Sequence, residues 1–327
     1  MSQSIVTTSE PPENVLWFVR NGKLTPRQGQ FVVFSLVAIH IILAVFVSYF
    51  AFHKFNYFTV LIFSLLIIAG FIGRKEIYHW FPIYFFLALY DILAVFQELF
   101  VYHIDPVNFY TFDDRLFGWA FNNEPPSYYF YQHHIPALDV FFGVFYVIHI
   151  IFPPIVIIYV RIYHEDKFDR LAWSSVFLGI ICMLFYYLLP TAPPWYTMNY
   201  GFSNQYVTQI TIDKAEAGLW YTDQALGVSI FSKIMWNMTS AKFSSFPSMH
   251  VGAPAYIYFS CKKLKINSIS RLMGVYVILI FCAVIYLNHH WVADALGGLF
   301  FAWLSVVLAN RVYDEDGIEK ATLEAAN

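Results

Sequence analysis

Residues 272–294 read LMGVYVILIFCAVIYLNHHWVAD, an uncharged apolar run followed by two histidines, a tryptophan and, at the last position, Asp294. Such a run is typical of a helix that crosses a membrane, which requires roughly 20 apolar residues. Histidines and a carboxylate beside an apolar helix are costly to keep there, so their presence indicates a chemical role. A second polar island, Phe246-Pro247-Ser248-Met249-His250, precedes another apolar run. The two islands are therefore candidate parts of one functional site.

The composition of the whole chain places it in a membrane. Of its 327 residues, 59% are hydrophobic, 21% are aromatic and only 13% are charged, and the mean hydropathy is +0.55. These values are too apolar for a soluble domain. The net charge is -3, and no segment interleaves basic and aromatic residues as a nucleic-acid-binding segment does. The sequence predicts an all-α, polytopic membrane protein with no nucleic-acid partner.

About eight segments are apolar enough to be drawn as transmembrane helices, although the sixth is short for a full crossing. They cover residues 31–52, 57–73, 79–102, 138–160, 171–189, 249–261, 272–287 and 290–309. An even number of crossings places both termini on the same side of the membrane.

The distribution of Lys and Arg indicates which side that is. Only five of the nineteen fall on the face opposite the termini, namely Lys54, Arg115, Lys214, Lys233 and Lys242. By the positive-inside rule the termini are cytoplasmic, and both polar islands face the extracytoplasmic (periplasmic or lumenal) space. We predict a cytoplasmic N-terminal segment over 1–30, a transmembrane catalytic domain over 31–310 and a cytoplasmic tail over 311–327.

Two long connections, 103–137 and 190–246, lie on the extracytoplasmic face in this topology, whereas the cytoplasmic connections are short. Neither shows regular periodicity, so both are predicted to be loops. Long loops tend to carry function. We therefore expect the extracytoplasmic side to be the working side.

The residue types of the two islands suit nucleophilic and acid–base chemistry. His290 and Asp294 are four residues apart at the start of the last predicted helix, a spacing that stacks their side chains on one face. A carboxylate so placed can accept the Nδ1 proton of the imidazole and leave Nε2 as a nucleophile or base. His250 follows Ser248 at the start of another helix, where free backbone N–H groups favour an anion such as phosphate. The two helices between the islands return the chain to the same surface, so we expect the histidines to converge.

A third motif, PTAPPWY at 190–196, ends the fifth predicted helix on that surface. Its prolines stop the helix and force an extended turn, while Trp195 and Tyr196 suit the membrane interface. In this order, PTAPPWY, FPSMH and HHWVAD resemble the motifs of the type 2 phosphatidic acid phosphatase superfamily, specifically the branch containing the fungal inositol phosphorylceramide synthases. The segment FDDRLFG at 112–118 also resembles that branch, so the resemblance extends over 105–310.

The resemblance implies a six-helix phosphatase-type core and a role for each motif residue. His290 matches the family nucleophile that attacks phosphorus and becomes a phosphohistidine, and Asp294 matches the carboxylate that orients it. His250 matches the acid that protonates the departing oxygen, and in a transferase it would then deprotonate the acceptor hydroxyl. The family requires no metal, and no cofactor is implied. The residues expected to bind substrate are Ser248, Pro193, Pro194, Trp195, Tyr196, Arg115 and Lys242.

The sequence departs from the family pattern where phosphatases carry cations that clamp the phosphate. The family Arg six residues before the nucleophile is replaced by Val284, and PTAPPWY contains no cation. A phosphomonoester brings nearly two negative charges to the site and depends on such a clamp, whereas a phosphodiester brings one. The departure therefore favours phosphodiester exchange, with Arg115 and Lys242 as the cations that could partly substitute.

The leading function is transfer of a phospho-alcohol headgroup, such as phosphoinositol, from a glycerophospholipid to a lipid hydroxyl such as that of ceramide. The alternative is a lipid phosphatase acting on phosphatidate, sphingoid-base phosphate or polyprenyl diphosphate. A non-enzymatic lipid carrier or channel subunit is a third hypothesis, which the intact His/His/Asp set opposes. The expected partners are therefore a phospholipid donor and a lipid acceptor in the membrane, and the need for a regulatory subunit stays open.

Other polar residues receive simpler interpretations. His40 and His149 are read as hydrogen-bonded packing residues, while His289 is left between packing and the site. Asp91 and Glu98 share a helix face and either contact a neighbouring helix or line the substrate path. The adjacent His133 and His134 are not read as metal ligands, because no carboxylate or Cys lies at ligand spacing.

Overall fold

A computed structural model provides the structure of the chain. It describes residues 79–87, 89, 103–205, 210, 217–238 and 242–326, with the backbone alone at 217, 237, 238 and beyond 312. The chain divides into two compact units, 1–88 and 89–327. In the first unit, residues 79–87 are helical. The predicted segment 1–30 and the predicted helices at 31–52 and 57–73 lie outside the described residues, as do Asp91 and Glu98.

Every regular element in the described part of the second unit is a helix, which confirms the predicted all-α class. The α-helices are α1 (Asn108–Phe117), α2 (Pro126–Gln132), α3 (Pro136–Ile148), α4 (Phe152–Tyr163), α5 (Glu165–Leu188), α6 (Pro194–Tyr200), α7 (Ala217–Leu226), α8 (Phe231–Met238), α9 (Met249–Lys263), α10 (Asn267–Tyr286) and α11 (Val292–Ala326). Extended backbone pairing among the described residues is limited to isolated bridges, two of which join Thr191 to Asp105 and to Ser244.

Three described helices are long and apolar enough to cross a membrane: α5, α10 and the Val292–Val312 part of α11. Both α5 and α10 begin several residues before the predicted starts at 171 and 272. The predicted spans begin at the first apolar residue after a charged segment. A helix need not end at the edge of the hydrocarbon layer, and both helices include polar residues before their apolar part. In α5 the first turn carries Glu165 and Asp166, which stabilise the positive end of the helix. At the other end of the chain, α11 continues to Ala326, into the predicted tail.

The prediction of one continuous helix over 138–160 is wrong. The structure has two helices there, α3 and α4, which are bent by 43° relative to one another and together are long enough for one broken span. The physical reason is the pair Pro153-Pro154 in the first turn of α4. Proline has no N–H, so the carbonyls of His149 and Ile150, four residues earlier, cannot receive helical hydrogen bonds.

The predicted loops 103–137 and 190–246 contain short helices, which the sequence reading missed. Two of these helices, α2 and α6, begin with proline, a residue favoured in the first turn because its fixed φ is already helical. One small apolar cluster joins the two segments; its buried members are Ile104, Ala192, Trp195, Tyr196 and Phe243. The two connections are therefore folded segments that pack against each other.

Helix α9 contacts α5, α10 and α11 and so lies among the long helices. Its crossing with α11 is close, because glycines occupy both sides of the contact. A Cβ at Gly298 would lie 2.4 Å from the carbonyl oxygen of Ser248, whereas a Cβ at Gly252 would lie 3.5 Å from the carbonyl oxygen of Gly298. The absence of a side chain at Gly298 thus brings the start of α9 against the first turns of α11.

We expect Gly298→Ala to destabilise the protein, because the added methyl group would overlap a backbone oxygen that cannot rotate away. Overpacking of this kind costs about 1–3 kcal/mol. Gly252→Ala is the matched control, since its methyl group would make ordinary contacts and its helix would gain about 0.4–1 kcal/mol. Thermal unfolding in detergent should give a lower midpoint for Gly298→Ala and an unchanged or higher midpoint for Gly252→Ala. Equal midpoints would contradict the close crossing.

Candidate active site

The two polar islands lie together in the structure, as the sequence predicted from the antiparallel pair α9 and α10. The backbone N–H of Ser248 donates to the carbonyl oxygen of Asp294 over 3.0 Å. The turn that brings the second island into place begins at Asn288, which has a left-handed backbone with φ of 63°. Asparagine is among the few residues other than glycine that adopt this conformation readily. The turn leaves His289 and His290 just before the first residue of α11.

His290 is bonded through both of its ring nitrogens. Its Nδ1 lies 3.4 Å from Oδ2 of Asp294 and its Nε2 lies 3.0 Å from Nδ1 of His250. The Nε2 of His250 in turn lies 2.9 Å from the hydroxyl oxygen of Tyr146. His290 is only 5% exposed and Asp294 is fully buried. The site is thus a linear set of hydrogen-bonded groups from three helices or their N-terminal turns.

A single set of tautomers satisfies all these contacts. If Asp294 is ionised it can only accept, so His290 donates from Nδ1 and accepts at Nε2. His250 must then donate from Nδ1 and accept at Nε2, where Tyr146 supplies its hydroxyl proton. The arrangement leaves a lone pair on Nε2 of His290 that points at an N–H group, which is the geometry a nucleophile beside a proton donor requires.

Ser245 is a member of the site that the sequence did not single out. Its hydroxyl donates to Oδ2 of Asp294 in a short hydrogen bond, and its oxygen lies 3.3 Å from Nδ1 of His290. The N–H of Trp291 also donates to the same carboxylate oxygen over 3.0 Å. Asp294 is therefore held by three donors, and Ser245 helps to link it to the imidazole. A serine immediately before the FPSMH motif carries no signal that would distinguish it from any loop serine.

Two further histidines line the site beside Tyr146. The ring of His289 stacks on Tyr146 with a centroid separation of 4.7 Å, and His149 meets His250 edge-on at 4.6 Å. Burial, followed by the nearby His290 and His149, lowers the pKa of His289 to about 3, so its ring is neutral at physiological pH. His149, predicted to be a hydrogen-bonded packing residue, is hydrogen-bonded to the carbonyl of Tyr146 and packs against His250.

Asp113, from the FDDRLFG segment in α1, lies at the beginning of α11. Its carboxylate is fully buried and accepts the N–H of Val292 over 2.6 Å and the N–H of Ala293 over 3.1 Å. Burial raises the pKa of this carboxyl to about 7; the two N–H groups oppose the rise and the charge of Asp294 adds to it. The sequence marked this segment only as a resemblance and assigned Asp113 no role.

The PTAPPWY motif is hydrogen-bonded to the residues on either side of the histidine pair, Asn288 and Trp291. The N–H of Trp195 donates to the carbonyl of Asn288 over 3.1 Å, and the indole N–H of Trp291 donates to the carbonyl of Ala192 over 2.8 Å. Trp195 and Tyr196, which the sequence predicts to suit the membrane interface, have their side chains inside the protein. They are 6% and 1% exposed, because the extended turn folds back into the small apolar cluster.

The remaining predicted substrate-binding residues are placed as follows. Ser248 is fully buried at the N-terminal end of α9, and its hydroxyl has no hydrogen-bond partner among the described residues. Arg115 is exposed on α1. The Nζ of Lys242 lies 5.3 Å from the centre of the Trp236 ring. Neither cation is among the described hydrogen-bond partners of the histidine pair.

Val284, which occupies the position of the family Arg, is fully buried in the apolar cluster that also contains Tyr146. Its carbonyl accepts the N–H groups of His289 and His290, each over 3.0 Å. The position thus supports the histidine segment by its backbone, and its side chain contributes packing. An apolar side chain cannot supply the charge that the family Arg supplies to a phosphate.

No group of three or more His, Cys, Asp or Glu side chains within the described ranges is arranged to hold a metal ion. The adjacent His133 and His134 have different hydrogen-bond partners. Nδ1 of His134 lies 3.0 Å from Oδ2 of Asp139, and Nδ1 of His133 lies 2.9 Å from the carbonyl oxygen of Tyr129. Asp139 also accepts the hydroxyl proton of Tyr286 over 2.8 Å. Asp139 thus joins the segment before α3 to α10 through His134 and Tyr286.

Comparison with known proteins relates these motifs to an enzyme family. A sequence model of the PAP2 superfamily matches residues 114–308. The phosphoinositol dihydroceramide synthase of Bacteroides thetaiotaomicron is 31% identical over 248 residues, covering 74% of this chain and 79% of that protein. No solved structure matches the chain significantly.

Two fungal proteins also match, over a shorter region. The inositol phosphorylceramide synthase catalytic subunit of Saccharomyces cerevisiae is 27% identical over 132 residues, which cover 39% of this chain and 31% of that protein. Its counterpart from Schizosaccharomyces pombe is 25% identical over 142 residues, or 43% and 32%. The family match alone covers more than half of the 327 residues and includes both polar islands. The chain belongs to the PAP2 superfamily, as an integral membrane enzyme that modifies lipids.

Proposed function

We propose that the protein transfers phosphoinositol from a glycerophospholipid to the hydroxyl group of a ceramide-type lipid, through a covalent intermediate on His290. The observation that carries the proposal is the alignment of Asp294, His290 and His250 through consecutive hydrogen bonds of 3.4 and 3.0 Å. A carboxylate, an imidazole with a free lone pair and a second imidazole with a proton are the parts that a double displacement at phosphorus needs.

In the first half-reaction, Nε2 of His290 attacks the phosphorus of the donor. An N–P bond forms and the P–O bond to the diacylglycerol oxygen breaks, leaving phosphoinositol on the histidine. Asp294 stabilises the positive charge that develops on the ring, because it stays ionised and accepts the hydrogen bond from the Nδ1–H group. The substrate phosphate must enter between the two rings, so it displaces the hydrogen bond between Nε2 of His290 and Nδ1 of His250.

His250 supplies and removes protons in this scheme. Once the phosphate has entered, its negative charge favours a second proton on His250, at Nε2, where the Tyr146 oxygen accepts a hydrogen bond from it. Nδ1 then gives its proton to the departing diacylglycerol oxygen, which leaves the His250 ring neutral. In the second half-reaction the same nitrogen takes the proton of the acceptor hydroxyl, whose oxygen attacks the phosphohistidine and frees His290. Tyr146 holds the other ring nitrogen at 2.9 Å, which keeps the acting nitrogen turned toward the phosphorus.

Contacts to the phosphate are proposed from the groups around the histidine pair. Ser248 carries a buried hydroxyl with no partner in the part of the chain that the structure describes, and a phosphate oxygen would supply one. The segment with Pro193 and Pro194 is held beside the histidines by the backbone contacts of Trp195, and we propose that it forms a wall of the substrate site. Arg115 and Lys242 stay candidate cations for the headgroup side.

The choice of a phosphodiester rests on Val284 and on the relatives. With a buried apolar residue where the family carries Arg, the site offers less positive charge to a doubly charged monoester than a phosphatase does. The bacterial relative is named for phosphoinositol and dihydroceramide and the fungal relatives for inositol phosphorylceramide. These names support phosphoinositol as the transferred group and a ceramide or dihydroceramide as the acceptor.

The nucleophile can be tested by substitution. We expect His290→Ala to abolish transfer, and Asp294→Asn to leave a small residual rate, about 10²–10⁴-fold below the wild type, because an amide holds the ring but stabilises its positive charge poorly. Ser245→Ala should cost roughly tenfold, since the carboxylate still reaches Nδ1 without it. His133→Ala, at an exposed histidine outside the site, is the control and should retain full activity. Wild-type turnover in His290→Ala would refute the mechanism.

The substrate class can be tested with purified protein in mixed micelles of phosphatidylinositol and ceramide. We expect release of diacylglycerol together with a phosphoinositol sphingolipid, and only slow release of diacylglycerol when ceramide is omitted. Rapid release of phosphate from phosphatidate, with no transfer from any phosphodiester donor, would instead establish the phosphatase alternative. Lipid movement without chemical change would establish the carrier.

We also propose that the termini are cytoplasmic and that the site faces the extracytoplasmic side, because fourteen of the nineteen Lys and Arg residues lie on the terminal side. Ser203 and Ser268 are exposed and fall on opposite sides in this topology. With Cys282 replaced, we expect an impermeant thiol reagent to label Ser203→Cys in intact cells and to label Ser268→Cys only after permeabilisation. The reverse pattern would invert the orientation.

A further inference from the structure

Helix α1 touches both islands of the site through one of its faces. Phe109 meets Phe246, beside Ser245, with a ring separation of 4.9 Å, and Tyr110 meets Trp291, beside His290, at 5.9 Å. Asp113 follows one turn after Phe109, on the same face. This face of α1 therefore contacts the two chain segments whose relative position sets the distance between the histidines.

Asp113 provides the polar contact of that face. The first N–H groups of a helix have no partner inside the helix, and the N–H groups of Val292 and Ala293 donate to the two separate carboxylate oxygens of Asp113. The N–H of Trp291, one residue earlier, donates to Asp294. Two carboxylates from different parts of the chain thus divide the N-terminal donors of α11 between them.

Capping this helix with a buried carboxylate has a high desolvation cost. Asp113 is fully buried, and the negative charge of Asp294 lies nearby, so burial and repulsion both oppose ionisation and raise its pKa. A neutral Ser or Asn would cap the helix at a lower desolvation cost. What a carboxylate adds is a pair of equivalent acceptors that fixes two consecutive N–H groups, and so fixes the rotation of the first turn about its axis.

We propose that Asp113 is a positioning residue: by binding the N–H groups of Val292 and Ala293 it holds the first turn of α11 so that His290 and Asp294 face His250. The inference rests on the proposed function of the histidine pair. Misplacement of a reacting group by about 1 Å can cost on the order of 10²-fold in rate. His290 is two residues before Val292, so a rotated first turn would move its ring away from His250.

The test compares Asp113→Asn with Asp114→Asn. Asparagine has nearly the same shape as aspartate but only one acceptor oxygen, so it cannot hold both N–H groups. We expect kcat for phosphoinositol transfer to fall at least tenfold in Asp113→Asn with KM within twofold of the wild type. The neighbouring Asp114→Asn should leave both constants unchanged. Asp113→Ser, a smaller neutral cap, is the second variant and should show the same loss of kcat.

Amide hydrogen exchange of the peptide covering 288–296 separates this inference from the proposed function. We expect exchange about tenfold faster in Asp113→Asn than in the wild type, and unchanged exchange in peptides from α10. Faster exchange with unchanged kcat would make Asp113 a structural cap only, and unchanged exchange would remove the contact itself. If neither variant folds, Asp113 is required for the fold and the positioning role fails. A wild-type protein without transfer activity refutes the proposed function, while the exchange result still decides whether Asp113 holds the segment.

Discussion

The N-terminal turn of α11 is the constraint on which the candidate site depends. Its free N–H groups are bonded by Asp113 from a distant helix and by Asp294 from within the turn. The same Asp294 accepts the N–H of Ser248 at its carbonyl and lies beside His290. One helix end therefore orients the His290 ring, fixes the Asp294 carboxylate and attaches the segment that leads to His250. The favourable interaction of anions with a helix N-terminus is what allows two carboxylates to share this place.

Tyr146, His250, His290 and Asp294 can persist among apolar helices because each of these side chains bonds to the next. In a medium of low dielectric constant an unpaired polar group is costly, whereas a fully bonded set is rigid. The hydrogen bonds from Tyr146 to His250, from His250 to His290 and from His290 to Asp294 require one set of tautomers. The hydrogen bonds that make this set rigid are thus also the ones that leave a lone pair on Nε2 of His290.

The close crossing of α9 and α11 adds a steric condition to these electrostatic ones. Gly298 lets the carbonyl of Ser248 approach the axis of α11, so the first histidine of the pair is carried within reach of the second. The helix break before Pro153 also affects the site. It places His149, the residue that follows α3, against the ring of His250. The hydropathy of the sequence predicts one continuous helix over α3 and α4. Hydropathy does not register that the proline pair at the start of α4 lacks two hydrogen-bond donors.

The sequence by itself determined the membrane setting, the helical class, the family and the convergence of the two histidine islands. These follow from hydropathy, from motif order and from the fact that two crossings return a chain to the same surface. Only the tertiary structure decided which residues surround the histidines. Asp113, Tyr146 and Ser245 come from segments far apart along the chain, and no periodicity or spacing marks them. Their contacts depend on how helices cross, which is set by packing over long sequence separations and is therefore invisible in any local pattern.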